Sequence, residues 1–260
     1  MSSSTVETIA FLLAVAAAIR STWSPCGISM LSTLTPLGER SRGHRYPVTV
    51  AWFVTGAVLG GLTLGGLAAG VAGAVAAWSP SAQTTALIVV LASLVTIGSD
   101  LRIGGISLPR IPRQVNEVWT GRYRGWAYAS AFGWQIGVGL TTFVMTAAVY
   151  LTVVVAALTG QPAVALGVGL VFGLVRGLAV LLGSRLTTPE AIRHFHRRLE
   201  GLAPWSLRAA VAAQVAVLAV GATELGADGL TVVAVVLGCA GLVVLARWSA
   251  RSRLSVTVAE

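Results

Sequence analysis

Ten residues have the types and spacing to do chemistry. Nine of them fall in two clusters: Arg20, Trp23, Ser24, Pro25 and Cys26, within IRSTWSPCGISMLSTLTP, and Gln135, Gly137, Thr141 and Thr142, within FGWQIGVGLTTF, with Arg176 standing alone in GLVFGLVRGLAVLLGS. Both clusters interrupt apolar sequence. A guanidinium inside a bilayer costs at least about 2.5 kcal/mol unless it faces water or a partner. Arg20 and Arg176, with no acid close by in sequence, therefore suggest a site for an anion, to which guanidinium offers a planar fork of donors. Snorkelling to an interface is the competing explanation, as strong as the site for Arg176 and weaker for Arg20. Pro25 removes a backbone donor, so the first apolar segment should kink or unwind near Ser24. The freed groups could be shared by Ser24, Ser29, Ser32, Thr33 and Thr35, although such hydroxyls also bond to their own helix carbonyls. Cys26 reads as a reactive thiol, a soft-metal ligand or a small buried hydrophobe, and Cys239 as packing.

These residues need helices to position them. The chain has 260 residues, 55% of them hydrophobic and only 10% charged, and its mean hydropathy is +0.82. Several apolar runs reach the roughly 20 residues a helix needs to cross a bilayer. The expected architecture is all-α, a polytopic membrane helix bundle with about seven spans at 8–35, 47–77, 83–99, 125–158, 163–184, 207–223 and 229–246. All 18 basic residues are arginines. Sixteen of them fall in alternate connections, after spans one, three, five and seven, and the opposite loops carry none. The arginine bias puts the N-terminus outside and the C-terminus in the cytoplasm of a bacterial plasma membrane. It also accounts for the basic charge without a nucleic-acid partner and leaves membrane lipid as the surface these loops meet. His194 and His196 sit two apart on an arginine-rich connector that fits an amphipathic surface helix better than a metal site. No phosphate-cradling loop, HExxH or intramembrane carboxylate pair is present, so no metal and no cofactor is expected.

Shifting the chain by 111 residues pairs Trp23 with Trp134 and Cys26 with Gly137, and a shift of 113 places GAVLG at 56–60 on GLVFG at 169–173. The halves begin on opposite sides of the membrane. This predicts a single membrane domain of two inverted three-helix repeats, about 8–101 and 125–223, each with a broken first helix, and one extra C-terminal helix at about 229–246. Such repeats place unwound backbone at a cavity near the bilayer centre. Gly56 and Gly60, and Gly169, Gly173 and Gly177, read as close-packing rows.

At STWSPCG the sequence resembles the transmembrane thiol-disulfide family that includes CcdA and the membrane domain of DsbD, within the wider LysE-type superfamily. FGWQIGVG resembles that family's second motif, approximately FGWTPC, but Ile136 stands at the proline position and Gly137 at the cysteine position. Disulfide exchange needs a second thiol. The resemblance therefore implies a scaffold kept without the reaction. The reading it favours is a transporter or exporter of a small anionic or sulfur-containing solute, working by alternating access through the ten residues named above, and not an enzyme. One alternative is a thiol-disulfide oxidoreductase of cytochrome c biogenesis type using Cys26, with a periplasmic thioredoxin-like partner. The other is a non-catalytic membrane subunit or assembly factor beside a membrane partner protein.

Overall fold

The computed structural model describes residues 3–103, 107–109 and 123–226, with Ala234. Among them the regular structure is helical throughout: α1 (Ser3–Ser21), α2 (Pro25–Thr33), α3 (Pro36–Ser41), α4 (Tyr46–Trp78), α5 (Ala82–Leu101), α6 (Gly125–Val138), α7 (Ala148–Leu158), α8 (Pro162–Leu178) with a 3-10 turn at Ala179–Gly183, and α9 (Pro189–Leu225). Five of these helices are long and apolar enough to cross a membrane: α1, α4, α5, α8 with its 3-10 extension, and α9. The expected span at 229–246 and the arginine-rich stretch at 110–122 lie outside the described residues.

Three helix starts follow one local rule. A hydroxyl residue precedes proline at 24–25, 35–36 and 188–189, and each time its oxygen accepts a backbone N–H of the new helix's first turn: Gly27 N on Ser24 at 3.1 Å, Gly38 N on Thr35 at 3.0 Å and Ala191 N on Thr188 at 3.2 Å. Proline at the first helical position loses nothing, because that N–H has no partner inside a helix. Pro25 therefore opens α2 and does not bend a continuous span.

Two expected spans are defined more closely by the structure. The expected break within 125–158 falls after α6, which stops at Val138: Gly139 takes φ +71°, and 139–147 run without regular helix before α7. Only a residue without Cβ adopts that φ at little cost. The expected span at 207–223 is the far end of α9, which begins at Pro189 and continues through Pro204. The connector holding His194 and His196 is thus the first part of the same helix. The shift of 111 would put the second break at 133–135, inside α6; it comes several residues later.

The centre of the bundle is a backbone-to-backbone contact. A Cβ on Gly56 would strike the carbonyl of Ser130, one on Gly137 the carbonyl of Ala57, one on Gly61 the carbonyl of Gly169, and one on Gly173 that of Ala57. Small residues let helices approach until only atoms of the main chain separate them. Hence α4 is clasped by α6 on one side and α8 on the other. Gly66 and Gly70, further along α4, meet nothing within 4 Å.

Candidate polar layer at the helix interruptions

Three charged residues sit at one level of the bundle. Arg20 on α1, Asp100 on α5 and Arg176 on α8 are 17, 18 and 14 residues past Ser3, Ala82 and Pro162, the first residues of their helices. At 1.5 Å per residue, each is about 21 to 27 Å along its helix. Arg20 is 7% and Arg176 2% exposed.

Each charge meets a chain interruption. Arg176 reaches the first, donating from Nη2 to the carbonyl of Ser21, the last residue of α1, at 3.3 Å; its guanidinium also lies 5.9 Å from the Phe172 ring centre. A cation at a helix C-terminus is favourable because the unpaired carbonyls there carry partial negative charge. Asp100 meets the second interruption with the opposite sign. Its Oδ1 accepts Ala147 N at 2.7 Å and its Oδ2 accepts the Thr146 hydroxyl and Gln214 Nε2 at 2.8 Å, so a carboxylate caps the N-terminus of α7 from another helix. The first interruption is held by a charge from the second half of the chain, and the second by a charge from the first half.

Arg20 and Trp23 tie the first interruption to α9. Arg20 Nη1 donates to the Ala203 carbonyl at 3.1 Å and to Ser206 Oγ at 2.8 Å, while Trp23 Nε1 donates to the Leu199 carbonyl at 2.7 Å. These acceptors flank Pro204, where the helix ladder lacks a donor. Arg20 Nε is buried with no hydrogen-bond partner.

The remaining expected site residues are placed as follows. Ser24 and Pro25 form the cap and first residue of α2. Cys26 is buried beside Met30, Phe53, Tyr128 and Ile136. The Gln135 carbonyl accepts the Thr141 hydroxyl at 3.1 Å, Gly137 is pressed on α4, and Thr142 Oγ1 is buried without a partner. The first break therefore joins Arg20, Trp23, Ser24 and Arg176, and Gly139, two residues after Gly137, lies against Phe172 near Arg176.

Two acids were not expected. Glu39, in a stretch that reads as a topology loop, is 0% exposed and accepts bonds of 2.7 Å from Arg42 Nη1, Thr49 Oγ1 and Tyr128 Oη, with His44 Nδ1 at 3.5 Å. It pins α3 to α4 and α6. Its arginine neighbours disguise it as part of a solvated charge run. Asp100 had a faint signal, as an acid ending an apolar run, but Thr146 and Gln214 lie far from it in sequence.

The chain is 33% identical over 172 residues to the methylamine utilization protein MauF of Paracoccus denitrificans, covering 66% of this chain and 62% of that one. It is 30% identical over 224 residues to the protein of that name from Paracoccus versutus, covering 84% and 81%, and 32% identical over 174 residues to that from Methylophilus methylotrophus, covering 65% and 60%. The chain thus spans about three fifths of two of these relatives. No protein-family model matches the chain and no solved structure does. These relatives overturn the resemblance to CcdA and DsbD, and with it the readings as solute transporter, thiol-disulfide protein of cytochrome c biogenesis, or generic subunit or assembly factor. Physically, the likeness rested on a Ser-Pro helix start, which any chain uses to open a helix, and on a second motif that lacks the residues of the reaction.

Proposed function

The chain belongs to the MauF family, and from that premise we propose that it serves methylamine utilization as a multi-pass protein of the bacterial plasma membrane. The single observation that carries the reading is the 30% identity extending over 84% of the chain and 81% of the relative. In this reading the N-terminus is outside and the arginine-rich ends face the cytoplasm. The finer architecture belongs to the same proposal: two inverted three-helix repeats at about 8–101 and 125–223, with a further helix at about 229–246. Its support is the reciprocal bracing, in which Arg176 of the second half holds the end of α1 and Asp100 of the first half holds the start of α7.

The polar layer around Arg20, Trp23, Ser24, Asp100, Thr142 and Arg176 is the part of the molecule in which the role is exercised, since it is where polar groups have been placed at the cost of burying them. The test is genetic. Disrupting the gene in a host that grows on methylamine should abolish that growth and spare growth on an unrelated carbon and nitrogen source. Wild type should restore it; Arg20→Ala, at wild-type abundance in the membrane, should not. Undiminished growth of the disrupted strain would remove the reading.

A further inference from the structure

A recess of about 450 Å³ opens beside the polar layer, lined by Arg20, Asp100, Leu101, Arg102, Phe143, Met145 and Leu207. Its walls come from the ends of α1 and α5, the second interruption and α9. Two guanidinium groups and one carboxylate border it, a net local charge of +1, and the carboxylate oxygens are already engaged by Ala147, Thr146 and Gln214. Arg20, 7% exposed, still has its Nε without a partner. Nothing among these groups uses the surplus positive charge. The rest of the lining is apolar: Leu101, Phe143, Met145 and Leu207.

We propose that this recess seats the phosphodiester of an anionic phospholipid, with Arg20 and Arg102 on the phosphate and the acyl chains along the apolar wall. The charge matches a monoanion, and the mixture of donors with large apolar side chains matches a headgroup whose other end is hydrocarbon. A basic pocket between membrane helices at their cytoplasmic ends is where anionic headgroups are held. The location rests on the orientation proposed above, but binding does not depend on it. It can therefore fail or succeed separately from the role in methylamine utilization.

The test is native mass spectrometry of the full chain, purified in detergent and titrated with phosphatidylglycerol, phosphatidylcholine or inorganic phosphate. Phosphatidylglycerol should be retained over phosphatidylcholine, and Arg102→Ala should weaken it about fivefold, the effect of one arginine near a lipid surface. Arg102 lies at the exposed end of α5, so its removal spares the fold; Arg20→Lys, which keeps the charge but loses the fork, should weaken retention as well. Equal retention of the two lipids, or no change in Arg102→Ala, would overturn the proposal. Displacement of phosphatidylglycerol by millimolar phosphate would also overturn it, by assigning the recess to a free anion.

Discussion

The two interruptions solve one problem by different means. The first is three residues long and supplies its own restart, because Ser24 caps α2 and Pro25 occupies a position that needs no donor. Only the end of α1 needs outside help, from Arg176. The second runs over 139–147 and starts with a glycine at positive φ, yet α7 has no cap from its own N-cap side chain. Its cap is Asp100, 47 residues away. A short break can be closed by neighbours in sequence, whereas a long one must be closed by tertiary contact. The second interruption is accordingly the more fragile.

Substitutions at four positions separate the two, beginning with the largest effect. Asp100→Ala leaves the Thr146 hydroxyl, the Gln214 amide and the Ala147 N–H without their acceptor, and should cost about 3 kcal/mol or more in unfolding measured in detergent micelles. Gly137→Val drives a side chain into the Ala57 carbonyl just before the second interruption, and should cost about 2 to 3 kcal/mol, read in the same assay. Arg176→Met keeps most of the volume and takes the charged donor from the Ser21 carbonyl, which still accepts Ser24 N at 3.1 Å, so its cost should be about 1.5 kcal/mol. Ser24→Ala should cost about 1 kcal/mol and Ser24→Gly a few tenths, the ordinary worth of a cap. If Ser24→Ala equals or exceeds Asp100→Ala, the contrast between local and distant closure fails.

What could be read from the sequence follows the same division. The long apolar helices, the helix restart beside Ser24 and the close-packing glycines at 56, 60, 169 and 173 are properties of neighbouring residues, and periodicity or capping chemistry exposes them. The burial of Arg20 and Arg176 was legible too, because each lies deep in apolar sequence. Their partners were not: Ser21 O, Ala203 O and Ser206 come into reach only after α8 and α9 have packed on α1. Glu39 and Asp100 were passed over for that reason, since an acid shows its worth through the donors that surround it. A break within 125–158 was legible from Gln135, Gly137, Gly139, Thr141 and Thr142, but its far end was not, because apolar residues such as Phe143 and Val144 fill an irregular segment as readily as a helix. The continuity of α9 through Pro204 was hidden by the polar face of its first turns.

The central claim is that each half of the chain braces the interrupted helix of the other half. Amide hydrogen exchange in detergent, followed at residues 19–28 and 145–152 in wild type, Arg176→Met and Asp100→Ala, tests it most directly. Arg176→Met should speed exchange in the first segment alone, and Asp100→Ala in the second alone. Equal loosening of both segments by either variant, or no change in either, would contradict it.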